Sequence, residues 1–143
     1  MKDSSEFYTF KGYQDISSSD LTPTMEDYLE MIYRLLNEQT VVRIGQLSAK
    51  LNVKPSSCSK IVQLLKESGY IDYEKYGYIA LTEKGQTDGS YLLYRHNVLQ
   101  QFLCTLNHSP DELEQVEKIE HFLNKTTIEN HRELTIRMQE GEK

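Results

Sequence analysis

Six side chains with hard-metal donor atoms stand along this chain in a suggestive order: Asp27 and Glu30, then His96, then Glu117, Glu120 and His121. Asp27 and Glu30 are three apart, as are Glu117 and Glu120, and His121 follows directly. Residues three or four apart share a helix face, so each group can aim its donors at one spot. A site drawn from three separate helices ties them together only when a metal is present. That is how a metal sensor is built.

Taken singly, each residue has an ordinary reading. Asp27, Glu30 and Arg34 fall opposite an apolar stripe, where a Glu30–Arg34 pair at i,i+4 is common on solvated helix surface. A histidine among apolar neighbours usually finds a local hydrogen bond. Carboxylates beside an apolar stripe are ordinarily rim residues. Their weight comes from coincidence, and from the elements that must position them.

The 143 residues suffice for one modest domain or two small ones with a buried core. No run approaches the length of a membrane helix, and no apolar signal core opens the chain, so a cytoplasmic location is expected. Cys58 and Cys104 are too few and too isolated for a disulfide framework and are expected to be buried or half-buried. The formal charge of −6 is unevenly spread: residues 1–40 carry −5, residues 41–95 carry +3 and residues 96–143 carry −4. Local charge, more than the total, attracts phosphate, so the middle third is the candidate nucleic-acid surface.

Residues 1–21 show no sustained periodicity and read as a flexible extension, with Phe7, Tyr8, Phe10 and Tyr13 available to pack on the domain or a partner. Thr22-Pro23 opens a helix whose stripe is Met25, Tyr28, Leu29, Ile32, Leu35 and Leu36. Ile44, Leu47, Leu51 and Val53 mark a short helix, and Lys54-Pro55-Ser56-Ser57 turns into a second, with Ile61, Leu64 and Leu65 as its inner face and Gly69 as its stop. This is the pattern of a helix-turn-helix. The β-prone runs 70–74 and 78–82, separated by Lys75-Tyr76-Gly77, predict a hairpin directly after it, which makes a winged helix. A long helix follows, striped by Leu92, Leu99, Phe102, Leu103 and Leu106, with His96 on the stripe. Ser109 as N-cap and Pro110 at the first turn predict the next helix, with Leu113, Val116, Ile119 and Leu123 buried, Glu120 bordering them and Glu117 and His121 on the flanks. A last, weakly amphipathic helix is expected from about Thr126 to Met138.

Thr22-Pro23-Thr24-Met25-Glu26-Asp27-Tyr28-Leu29-Glu30 followed by Ile32-Tyr33 resembles the opening of the manganese transport regulators, in the diphtheria-toxin-repressor-like class. Pro55-Ser56-Ser57 with Lys60, Tyr73-Glu74-Lys75-Tyr76, Tyr94-Arg95-His96 with Leu99, and Val116-Glu117 with Ile119-Glu120-His121 match in order and spacing, over roughly residues 22–125. The resemblance implies a mostly α-helical chain: a winged helix-turn-helix DNA-binding domain over 22–90, then an α-helical metal-binding and dimerisation domain over 91–143. It also implies a non-enzymatic repressor that binds palindromic operator DNA as a homodimer when metal-loaded and controls manganese uptake genes. The ligand positions of the manganese members are those of Asp27, Glu30, His96, Glu117, Glu120 and His121. Iron-responsive relatives carry Met and Cys at the positions of Asp27 and Glu120. Carboxylates and imidazoles suit Mn²⁺, and four of the former with two of the latter suffice for two ions per chain. Activation by Fe²⁺ stays open.

On DNA, helix 55–68 is expected in the major groove, with Pro55, Ser56 and Ser57 at its tip and Ser59, Lys60 and Gln63 along it. Arg43, Lys54, Lys60 and Lys75 are the phosphate candidates, and Tyr76 stands at the wing tip, where Lys75 is the one basic neighbour. Three other readings remain: an iron-responsive regulator, a metal-independent winged-helix regulator, and a dinuclear metal hydrolase. The hydrolase lacks a convergent acid, base or nucleophile set beyond the ligands.

Overall fold

The computed structural model describes residues 6–16 and 20–141. Within the expected 1–21 extension, Phe10–Ile16 forms a short helix, α1. The rest of that extension before residue 6 and at 17–19, and Glu142 and Lys143, lie outside the described residues.

Helix α2, Pro23–Glu38, starts as its sequence dictates: Thr22 Oγ1 accepts from Met25 N at 3.1 Å, and proline occupies the first turn. Met25, Tyr28, Leu29, Ile32 and Leu35 are buried. Helix α3, Ile44–Leu51, closes on Asn52 in the left-handed conformation (φ 57°), and Pro55 opens α4, Pro55–Glu67. The inner face of α4 differs from expectation. Cys58, Val62 and Leu65 are buried, at i, i+4 and i+7, while Leu64 is 45 % exposed one position round the helix.

Strands β1, Ile71–Tyr73, and β2, Ile79–Leu81, pair antiparallel with Ile71 opposite Leu81. They are shorter than the predicted runs because Tyr70 N bonds back to Leu65 O at 3.0 Å and residues 74–77 are spent on the turn, where Tyr76 has φ 65°. Val42 adds an unforeseen bridge, accepting from Ile79 N at 2.8 Å.

Helix α5, Glu83–Asn107, contributes to both hydrophobic cores. It crosses the hairpin at Gly85, where a Cβ would sit 1.9 Å from Tyr70 O. Its N-terminal half closes the core around Leu29, Ile32, Leu47, Leu65 and Ile79, with Leu92 as its contribution. Its C-terminal half builds a second core from Val98, Leu99 and Leu103 with Val116 and Ile128. Leu106 lies beyond that core and is half exposed.

Helix α6 spans only Leu113–Ile119. Ser109 and Pro110 do not begin it; Asp111 Oδ1 accepts from Leu113 N at 3.0 Å, while Gln100 of α5 holds the same oxygen at 2.8 Å. The later start leaves Leu113 40 % exposed instead of buried. A 3-10 turn, Glu120–Phe122, ends this segment. Helix α7, Lys125–Gly141, packs on α5 and outlasts its expected span at both ends.

Candidate metal centre and nucleic-acid interface

The two cores meet where α2, α5 and the 120–122 turn converge. Glu30 and His96 are buried there, and Glu120 is only 2 % exposed. Neither Glu30 nor Glu120 is therefore a surface carboxylate: α5 and the turn cover the α2 face that periodicity alone assigns to solvent. Asp27 stays exposed at its edge, and Glu117 is exposed one turn before Glu120.

Two groups of donors lie close together. Asp27, Glu120 and His121 each offer one atom within 4.8 Å of the others, and so do Glu30, His96 and Glu120. Glu120 belongs to both. His96 Nδ1 is 3.0 Å from Glu120 Oε2 and 3.9 Å from Glu30 Oε2. His121 Nε2 is 3.1 Å from Asp27 Oδ1. Five of the six candidate ligands are thus brought together, while Glu117 stands outside both groups.

Electrostatics mark the same spot. Burial, with the neighbouring Glu120 charge, pushes the Glu30 carboxyl up to about 7, against the opposing pull of Arg34 and His96. Burial also acts to raise Glu120, but the hydrogen bond and charge of His96 prevail and hold it below the usual carboxylate range. For His121, burial favours the neutral ring, yet the hydrogen bonds to Asp27 and Glu26 prevail and carry it up to about 9. The carboxylates are held by protons and basic side chains, including the Arg34–Glu30 ion pair.

Two participants were not singled out from the sequence. Glu26 contacts His121 Nδ1 at 2.8 Å, and Arg95 contacts Glu26 Oε1 at 3.2 Å. Glu26 reads as an ordinary helix-start acid, and Arg95 stands in a recognised segment without an assigned role. Only the fold brings residues 26, 95 and 121 together.

All ten DNA candidates are exposed: Arg43, Lys54, Pro55, Ser56, Ser57, Ser59, Lys60, Gln63, Lys75 and Tyr76. Arg43, Pro55, Ser59, Gln63, Lys75 and Tyr76 line an open cleft of about 670 Å³ between α4 and the hairpin. Lys66, one turn beyond Gln63 on α4, adds a basic group that the sequence reading passed over. Lys54, Ser56, Ser57 and Lys60 do not line the cleft. The Arg43 guanidinium lies 4.4 Å from the Tyr78 ring centre, which fixes a charge beside the hairpin.

Comparison with known proteins identifies the relatives of this chain. The family profile of the iron dependent repressor, N-terminal DNA binding domain, matches residues 20–79. The HTH-type transcriptional regulator MntR of Geobacillus kaustophilus (strain HTA426) is 42% identical over 123 residues, covering 85% of this chain and 87% of the relative. MntR of Bacillus subtilis (strain 168) is 42% identical over 109 residues, covering 76% and 77%. Among solved structures, the manganese regulator SloR superposes with a TM-score of 0.69 at 28% identity, over 80% of this chain and 54% of SloR. The chain therefore spans about half the length of that regulator.

Proposed function

This chain belongs to the MntR family of HTH-type transcriptional regulators, and on that premise we propose that it is a manganese-dependent repressor that binds palindromic operator DNA as a cytoplasmic homodimer and controls manganese uptake genes. The observation that carries the metal reading is Glu120, a buried carboxylate common to two donor groups. A buried carboxylate needs a compensating charge, and two groups sharing one carboxylate suit two ions per chain. The donors are oxygen and imidazole nitrogen, with neither thiolate nor thioether among them, a set that suits Mn²⁺. Because Mn²⁺ ranks below Fe²⁺ and the later metals in intrinsic affinity, its selection rests on site geometry and cellular metal supply.

Asp27, Glu30, His96, Glu120 and His121 are the proposed ligands, and Glu117, exposed and outside both donor groups, is proposed as the sixth. A bound divalent cation supplies the positive charge that protons and basic side chains otherwise provide. Asp27 and Glu30 carry the effect into α2, which packs on α3 and α4 of residues 22–90, the proposed reading head. His96, Glu120 and His121 anchor it in residues 91–143, the proposed dimerisation half. Fixing α2 against α5 selects one placement of the heads, a coupling of about 1–3 kcal/mol in typical cases.

At the DNA, α4 lies in the major groove. Pro55, Ser56, Ser57, Ser59 and Gln63 face base edges, Arg43, Lys54, Lys60 and Lys75 meet phosphates, and Tyr76 flanks the wing contact. Two heads related by a twofold axis call for a palindrome.

The test is selection of duplexes from a random pool in Mn²⁺, then fluorescence anisotropy on the selected sequence. Tight binding in Mn²⁺ and loss in EDTA is the expected result. Equal binding in both sinks metal dependence, and selection of no palindrome sinks the symmetric dimer.

A further inference from the structure

We infer that Glu26 is a positioning residue for His121, anchored by Arg95, which holds Nδ1 of the imidazole and so leaves Nε2 for the metal; this deepens the metal reading above and rests on it. The two ring nitrogens of His121 are met by consecutive carboxylates of α2. Glu26 Oε1 lies 2.8 Å from Nδ1, and Asp27 Oδ1 lies 3.1 Å from Nε2. Asp27 belongs to a donor group and Glu26 to neither. A ligating imidazole offers one nitrogen to the ion and donates through the other, and the acceptor there sets the tautomer and ring angle.

Arg95 explains how a further carboxylate is tolerated beside the site. Its Nη2 is 3.2 Å from Glu26 Oε1 and its Nη1 is 3.4 Å from Oε2, while the residue is only 3 % exposed. The guanidinium cancels the Glu26 charge and ties it to α5. Arg95 Nη2 and His121 Nδ1–H both point at Glu26 Oε1, 3.2 and 2.8 Å away, and this shared acceptor joins α2, α5 and the 120–122 turn. Glu26 thus joins three elements without giving an atom to the ion.

Ring ¹⁵N spectra of the full-length protein, with Cd²⁺ as a diamagnetic probe, read which nitrogen responds. The expected result is a Cd²⁺-dependent shift at Nε2 with Nδ1 still protonated. A shift showing Cd²⁺ on Nδ1 overturns the inference while leaving the metal site standing. No response at either nitrogen removes His121 from the ligand set and overturns the inference, leaving the metal reading to the Glu30–His96–Glu120 group. Absence of Mn²⁺ binding in calorimetry of the wild type is what overturns the metal reading itself. Calorimetry with Mn²⁺ supplies the second arm. Glu26→Met with Arg95→Met, which leaves neither charge buried alone, should weaken binding about 10- to 100-fold. Glu26→Gln with Arg95→Met, in which the amide oxygen still accepts from Nδ1–H and again neither charge is buried alone, should recover most of that loss. Wild-type affinity in the Glu26→Met, Arg95→Met variant, or no recovery in the Glu26→Gln, Arg95→Met variant, rejects the positioning role.

Discussion

Glu120 Oε2 lies 3.0 Å from His96 Nδ1, with both side chains almost wholly out of solvent, and this contact joins the 120–122 turn to the middle of α5. The carboxylate also completes both donor groups.

Glu120→Gln should therefore damage both groups at once. The amide is nearly the same size and keeps an acceptor for His96, so the metal-free fold should survive. Mn²⁺ affinity measured by calorimetry should fall by more than tenfold, about 1.4 kcal/mol. Glu117→Gln, at an exposed position outside both groups, should cost less. A larger loss from Glu117→Gln would show that the exposed carboxylate moves to the centre of the site.

Metal-free stability should fall as pH rises from about 5 to 9. Glu30 is raised from 4.5 to about 7, so the folded state holds its proton more tightly and that contribution disappears as pH rises through about 7. His121 is raised from 6.5 to about 9, so its contribution is complete below 6.5 and lost as pH rises through about 9. Glu120 acts in the opposite sense, losing its contribution only as pH falls through its lowered value. Thermal melts in EDTA should show a Tm that declines between pH 5 and 9, whereas Mn²⁺ should bind more tightly over the same range because it displaces these protons. A Tm that climbs with pH contradicts the assigned proton positions.

Much of this was legible in the chain. The Thr22 cap, the turn at residues 52–55 and the β-prone runs carry local signals that the fold repeats. Glu30 shows where local reading stops. Its helix phase assigns it to solvent, and only the packing of α5 over that face buries it. The start of α6 misled for a similar reason: Ser109-Pro110 is a good opening in isolation, but Gln100 of α5 holds Asp111 and shifts the helix to Leu113. Glu26 and Arg95 gave no signal as a pair because 69 residues separate them.

Lys60 separates phosphate contact from base reading. It is exposed on α4 but stands outside the cleft that Ser59 and Gln63 line. Lys60→Ala should weaken binding to all duplexes about equally and lower the log–log salt slope by about one per head. Anisotropy across a salt series checks this. A relaxed preference at one base position would instead give Lys60 a base edge to read.

His121→Ala separates sensing from folding. The ring sits on the 120–122 turn, outside α4 and the hairpin, so its loss removes none of the proposed DNA contacts. It is paired with Glu26 and Asp27, but Glu26 keeps Arg95 and Asp27 is exposed to solvent. Neither carboxylate is left as a lone buried charge, and the metal-free fold should lose little stability. The Asp27–Glu120–His121 group, however, loses a donor and the link from α2 to the turn. Metal occupancy should fall, and with it the population shift that a few kcal/mol of coupling supplies. Circular dichroism and sedimentation should match the wild type, while Mn²⁺ should no longer raise affinity for the selected duplex. An unfolded variant, or one with altered association state, would make His121 a structural residue. Full activation by Mn²⁺ would remove it from the ligand set and leave Glu30, His96 and Glu120 as the sensing group.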